Sequence, residues 1–201
     1  MKILFLTMFR ISDVYERNLY SDLMRYFANQ GHTVYIVTPV ERRHKMPTSI
    51  TEQNGMYLLK VATLNLQKTN VIEKGIGAII LEYQFLRAIN KHFANIRFDL
   101  VLYSTPPITF THIVNAIKSR VKAVTYLLLK DIFPQNAIDL GMIKQGSLLH
   151  RFFLRKEKAL YRISDFIGCM SPAIVTFLLQ HNPGLDPAKV EVNPNKLGAK
   201  V

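Results

Sequence analysis

The chain opens on a continuous apolar run, KILFLT at residues 2–7, with the length of a strand and no polar alternation. Such a run suits a strand covered on both faces. In "RNLYSDLMRYFANQG" (17–31), Leu19, Leu23, Met24, Tyr26 and Phe27 recur at helical spacing, and Gly31 stands where a helix C-cap belongs. "TVYIVTP" (33–39) is β-branched and closed by Pro39. Strand, helix and strand at this length make a βαβ unit, with parallel pairing and a right-handed crossover.

The alternation continues. Residues 41–55 are polar and read as a loop, and "MYLLKVAT" (56–63) reads as a strand. A long helix over 72–94 carries Ile72, Ile76, Ile79, Ile80, Tyr83, Leu86, Ile89 and Phe93 along one stripe. "DLVLYST" (99–105) is a buried strand ended by Pro106–Pro107. A helix over 108–120, a strand over 123–129, a short helix opened by Pro134, and a helix over 146–164 follow. "DFIGCM" (165–170) is a short strand. In "SPAIVTFLLQHN", Ser171 is the N-cap and Pro172 the first helical residue, and "KVEVNPN" (189–195) is a last strand. The expected fold is a doubly wound, Rossmann-like α/β domain, a parallel sheet of about seven strands with helices on both faces.

Composition narrows the function classes. Over 201 residues, 49% hydrophobic and 20% charged side chains fit a globular domain with a substantial core. One cysteine, Cys169, cannot form an internal disulfide, which fits a reducing, cytoplasmic setting. No segment approaches the ~18 uninterrupted apolar residues of a membrane span, and Glu82 interrupts the longest candidate. The formal charge of +12 points to polyanionic partners, whether nucleic acid, phosphate-bearing substrates or an anionic membrane face.

In an open parallel sheet, ligands bind outside the carboxyl ends of the strands, which directs attention to the strand-end loops. The first, Met8–Asn18, has no glycine and so lacks the G-x-G-x-x-G cradle of a dinucleotide site. It offers Arg10, Ser12, Asp13, Tyr15, Glu16, Arg17 and Asn18, side chains suited to hydroxyls or to capping the next helix. The second, "STPPITFTH" (104–112), carries Thr105, Thr109 and His112. A helix starting near Pro107 would present free backbone N–H groups as an anion site. His112 is either a base, a substrate contact or a half-buried helix residue. At the third, Asp131 follows an apolar strand and Lys130. It is either an acceptor for the following N–H groups or an exposed acid facing a cleft, since a buried unpaired carboxylate would be costly. Scattered histidines give no metal-ligand spacing, and no nucleophile elbow is present.

Arg151, Arg155, Lys158 and Arg162, spaced by four, three and four, form one stripe on the 146–164 helix. Leu148, Leu149, Phe152, Phe153, Leu160 and Ile163 form its other face, with Lys156 falling among them. The stripe is either a surface for anionic lipid or an ordinary solvated face.

Taken in order, these segments resemble the N-terminal domain of GT-B-fold, family-four (group 1) glycosyltransferases of bacterial capsule, O-antigen and exopolysaccharide synthesis. The matching pieces are "MRYFANQGHTVYIVT", Ser104–Thr105–Pro106–Pro107, "DIFPQNAIDLG" from Asp131 to Gly141, "CMSPAIVTFL" and "VEVNPN". Departures are the glycine-free first loop, Phe133 for tryptophan and Gln135 for glutamate. The resemblance implies an acceptor-side domain over 1–195 and an interdomain hinge over 196–201. The donor domain with its paired glutamates is then absent, leaving this chain inactive alone.

The resemblance further implies a retaining hexosyl transfer from a nucleotide sugar to a saccharide acceptor, lipid-linked, with no metal or other cofactor. Asp131 and His112 would be catalytic. Arg10, Asp13, Tyr15, Glu16, Arg17, Ser104, Thr105, Gln135 and Ser171 would contact the acceptor. The setting would be the cytoplasm, with Arg151, Arg155, Lys158 and Arg162 at the inner face of the membrane. The alternative is a basic α/β module that binds a protein partner or nucleic acid without catalysis. Against nucleic acid, the aromatic residues fall on apolar faces and no recognised motif is present.

Overall fold

The apolar runs and helical stripes condense, in the computed structural model, into one mixed sheet with helices against it. Residues 1–66 and 71–194 are described, with the backbone alone for 71–76 and 78. In chain order the elements are β1 (Lys2–Leu6), α1 (Leu19–Asn29), β2 (Thr33–Glu41), β3 (Ser49–Gln53), β4 (Met56–Thr63), α2 (Val71–His92) and β5 (Leu100–Ser104). Then come α3 (Thr111–Val121), β6 (Val124–Leu129), α4 (Gln135–Asp139), α5 (Leu148–Ile163), β7 (Phe166–Cys169), α6 (Pro172–His181) and β8 (Val190–Val192). The strand order is β3-β4-β2-β1-β5-β6-β7-β8, with every pairing parallel except β3 with β4.

The order explains the unequal covering of the faces. From β1 the chain steps one way to β2, through α1. Each later crossover, through α2, α3, α5 and α6, steps the other way. Right-handed crossovers in opposite directions place their helices on opposite faces. Accordingly Met24 of α1 packs with Ile3, Phe5, Val34, Ile36 and Leu58 on one face. On the other, Leu81, Phe85 and Ile89 of α2, Ile113 and Ile117 of α3, Leu160 of α5 and Leu178 of α6 pack over Leu4, Val37, Val101, Leu127 and Ile167. Each fully buried Leu, Ile or Phe here contributes about 1.5–3 kcal/mol. Tyr35 anchors the first half, stacked on Tyr57 at 4.8 Å and edge-on to Phe93 at 5.1 Å.

The helix ends follow local chemistry. Asn18 accepts from the backbone N–H groups of Tyr20 and Ser21 at the start of α1. At its end Gly31, at φ +80°, donates to Ala28 O while His32 N donates to Phe27 O, the paired bonds of a Schellman motif.

Three expectations change. The polar stretch 41–55 is not all loop: β3 lies within it as an edge strand, raising the count to eight. The turn into β4 is Asn54–Gly55, both at positive φ (50° and 74°), the residue pair favoured in tight hairpins. Helix α3 starts at Thr111 instead of near Pro107. Among the described residues of α2 the buried apolar side chains are Leu81, Phe85, Ala88 and Ile89, with Glu82 buried beside them, while Tyr83 is exposed. The side chains of Ile72 and Ile76 lie outside the described residues. On the apolar face of α5, Leu148, Leu149 and Phe152 are exposed. The expected hinge at 196–201 also lies outside the described residues.

Candidate functional site at the carboxyl ends of the strands

Because β1 lies between β2 and β5, the strand order reverses at β1, and the crevice beyond β1 and β5 is the switch point of the sheet. The pairing of Leu6 with Tyr103 brings the next residues, Thr7 and Ser104, side by side at that edge. Both are buried, and the Ser104 hydroxyl donates to Thr7 Oγ1 at 3.4 Å. Thr7 Oγ1 also accepts from Phe9 N at 3.0 Å, which turns the chain out of β1.

One strand further, Thr105 latches β5 to the exit of β6. Its buried Oγ1 accepts from Lys130 N at 2.9 Å and from Asp131 N at 3.3 Å. That leaves the Asp131 side chain exposed at the sheet edge, where Oδ1 accepts from Asn136 Nδ2 at 3.3 Å. The N–H of Asn136 goes to Ile132 O instead. Of the two readings of Asp131, the exposed acid is the one observed.

The third wall is Tyr20, at the start of α1. Its ring packs on Phe5 (5.2 Å) and Phe9 (6.0 Å), and Lys130 Nζ lies 5.6 Å from the ring centroid. Burial pushes the Tyr20 hydroxyl up from its ordinary value. A hydrogen bond with Ser104 pulls the other way, and the Asp131 charge adds to the rise. Burial also brings the Lys130 ammonium down to about 8. The switch point thus combines three hydroxyls, a phenol, a half-buried ammonium and an exposed carboxylate.

The first loop folds on itself. Ile11 and Val14 are buried in the α1-side core, and Ile11 N donates to Thr38 Oγ1 at 2.9 Å. The Asp13 carboxylate accepts from Tyr15 N and that of Glu16 from Ser12 N, so both acids hold the loop's own backbone. Arg10 Nη1 contacts a ring nitrogen of His44 at 2.9 Å, the Tyr15 hydroxyl accepts from Asn54 Nδ2, and Arg17 is exposed.

The remaining candidates are dispersed. His112 is exposed and lies over the Tyr83 ring at 5.5 Å, on α3 against α2. The anion site expected at that helix start is filled by Glu82 of α2, whose Oε1 accepts from Ile113 N at 2.9 Å. Gln135 donates to Asp139 within α4, and the Ser171 hydroxyl accepts from Ile174 N as the N-cap of α6. Arg151, Arg155, Lys158 and Arg162 are all exposed along α5. Among the described residues, no group of three or more His, Cys, Asp or Glu could hold a metal, and no helix is long and apolar enough to cross a membrane.

Thr7, Tyr20 and Lys130 are site residues that the sequence reading did not assign. The signal for Thr7 was its place as the first polar residue after a buried strand, matching Ser104 across the switch. Two surface depressions, lined by Arg97, Arg120 and Lys122 and by Lys2, Thr33 and Asp99, lie at the amino ends of the strands, opposite this edge.

The profile described as Glycosyltransferase Family 4 matches residues 18–196. No curated protein matches the chain. Among solved structures, the one described as trehalose-6-phosphate from E. coli bound with UDP-2-fluoro glucose superposes with a TM-score of 0.65 at 10% identity, over 98% of this chain and 49% of that one. CalG4, the calicheamicin glycosyltransferase, gives 0.54 at 14% identity, over 87% and 48%. The glycotransferase of kitacinnamycin gives 0.56 at 12%, over 99% and 52%. These likenesses are likenesses of fold, that of a Rossmann-like GT-B domain, and the chain spans about half the length of each.

Proposed function

The chain belongs to Glycosyltransferase Family 4, and on that premise we propose that it supplies the acceptor-binding half of a retaining sugar transfer. The donor is a nucleotide sugar, held by a second Rossmann-like half. The acceptor is a saccharide on a lipid carrier, as in the synthesis of a bacterial surface polysaccharide. The observation that carries this reading is the switch-point cluster. Hydroxyls of Thr7, Ser104, Thr105 and Tyr20, the Lys130 ammonium and the Asp131 carboxylate meet at the edge where such folds bind ligands. The glycine-free first loop supports a saccharide here over a nucleotide, whose phosphates call for closely approaching backbone.

In this reading Asp131 accepts a hydrogen bond from the acceptor hydroxyl that attacks the anomeric carbon as the nucleoside diphosphate leaves. Orienting that oxygen is the main contribution one half of such an enzyme can make. The role is assigned to Asp131 and not to His112, because Asp131 shares Thr105 with the cluster whereas His112 rests on Tyr83. Lys130 binds an acceptor oxygen or phosphate beside the Tyr20 ring. Arg10, whose Nη1 meets His44 just past the end of β2, borders the same edge for longer saccharides, whereas the Tyr15 hydroxyl reaches Asn54 at the amino end of β4, and the half alone turns over no donor.

Saturation-transfer NMR on the chain, with one panel of saccharides and one of nucleotide sugars, tests the assignment. Saccharides are expected to bind, and Asp131→Asn to weaken them by about tenfold, the effect of losing a charged hydrogen-bond partner. Binding of nucleotide sugars at Lys130 without any saccharide binding would overturn it.

A further inference from the structure

At the amino ends of the strands, opposite the switch point, the two depressions meet at Arg97. The first, of about 270 Å³, lies between the turn that leaves α2 and the turn that joins α3 to β6, with Arg97, Arg120 and Lys122 on its walls. All three are exposed, and among the described residues none of them forms an ion pair. The one acid between Glu82 and Asp131 is Asp99, whose Oδ2 accepts from Lys2 N at 2.7 Å and so ties the start of β1 to the start of β5. Nor are the cations spent on their own helix end. Arg120 Nη1 donates to Asn90 Oδ1 of α2 at 2.8 Å instead of to a carbonyl of α3. Lys122 follows the last residue of α3 in left-handed backbone, at φ +57°, with its N–H closing on Lys118 O. Glycine is the residue that position favours, so a lysine is held there at a backbone cost.

We propose that this depression is a second ligand site, one that takes a small oligophosphate. Three cations gathered without an acid repel one another, and an anion placed between them turns that repulsion into attraction. The guanidinium groups of Arg97 and Arg120 offer paired N–H donors that match phosphate oxygens, and the Lys122 ammonium adds a point charge. Size and lining choose the occupant. A depression of about 270 Å³ admits a small molecule. The rest of its wall is Ala94, Asn95, Ile96 and Val121, with no aromatic ring on which a nucleobase could stack. An uncharged saccharide would leave all three cations unanswered. The site is independent of the sugar-transfer reading, since that cluster stands at the other ends of the same strands. Filling one of the two therefore leaves the other open.

The test is calorimetric titration of the chain with inorganic pyrophosphate at low and high salt, with backbone amide NMR shifts to locate the anion. One pyrophosphate is expected to bind, more weakly at high salt, and to shift the amides of Arg97, Arg120 and Lys122. Arg97→Gln and Arg120→Gln are each expected to weaken it about tenfold. Lys122→Gly is expected to weaken it as much while unfolding at no lower urea concentration than the wild type, because glycine takes φ +57° freely. Lost affinity in that variant is then not lost fold. A nucleoside diphosphate is expected to bind about as tightly as pyrophosphate, since only its phosphates are read. A gain of about tenfold or more from the nucleoside would overturn the proposal. So would absence of pyrophosphate binding at low salt, or binding lost in Lys130→Gln but kept in Lys122→Gly, which would put the anion at the switch point. A single-stranded oligonucleotide that shifts these amides where pyrophosphate does not would overturn it as well.

Discussion

Glu157 makes the stability of the protein depend on pH in a calculable way. Its side chain is buried on α5, where Oε1 accepts from the Tyr161 hydroxyl at 2.8 Å. Burial, the largest cause, raises its carboxyl from 4.5 to about 7, against the Tyr161 hydrogen bond and the charges of Lys158 and His181. Between those two values the native chain keeps a proton that the unfolded chain has released. The folded state binds more protons there, so stability falls as pH rises. The contribution is complete below pH 4.5 and gone above about 7. A rise of about 2.5 pH units, at ~1.36 kcal/mol each, corresponds to about 3 kcal/mol. Glu157→Gln keeps an acceptor for Tyr161 but cannot ionise. Urea unfolding of both proteins from pH 4.5 to above 7, taken as a difference, cancels every other titrating group. The variant is expected to gain about 3 kcal/mol over the wild type across that window. If the two curves run parallel, the native carboxyl is not held protonated by burial and the reasoning fails.

Two further substitutions test the packing. A Cβ at Gly168 would lie 2.4 Å from the Tyr126 hydroxyl and 2.9 Å from Asn193 Cβ. Gly168→Ala is therefore expected to cost about 1–3 kcal/mol in urea unfolding, and Tyr126→Phe to recover part of that loss. Strict additivity of the two would remove the proposed clash. Glu82 caps α3 from α2, so Glu82→Ala orphans the buried Ile113 N–H and is expected to cost about 1–3 kcal/mol. A loss below about 0.5 kcal/mol, the range of a bland surface change, would show that the cap is dispensable.

How much was legible in the sequence follows from what each signal depends on. Buried parallel strands such as ILFL, YIVT and LVLY carry their own label, because both faces need apolar residues, and they were all found. Strand β3, SITEQ, is an edge strand with four exposed residues, so no apolar pattern marks it. Only the Asn54–Gly55 pair announces the hairpin. On α5 the amphipathic pattern was read correctly, but periodicity reports which face is apolar, not whether anything covers it. The Leu148–Phe152 turns show the difference. The site was half legible. Asp131, Ser104 and Thr105 sit at strand ends and could be picked out one by one. Thr7 belongs to the same site through the β1–β5 register, and Tyr20 through its hydrogen bond with Ser104 and its packing on Phe5, none of which a local stretch encodes. The capping role of Glu82 is invisible for the same reason, since its partner Ile113 is 31 residues away.

The position of β1 inside the sheet also has a cost during synthesis. The hydrogen bond from Ser104 to Thr7 spans 97 residues, so the switch-point edge exists only after β5 has left the ribosome and inserted beside β1. Closing a loop of that length costs about 4 kcal/mol in chain entropy, to be recovered by pairing. Until then a nascent chain folded through β4 would present Ile3, Leu4, Phe5 and Leu6 on an open strand edge, with no charge among them to discourage another chain from pairing there. The same arrangement that gives the fold its ligand edge therefore makes its amino-terminal half, caught alone, the form most exposed to misassembly.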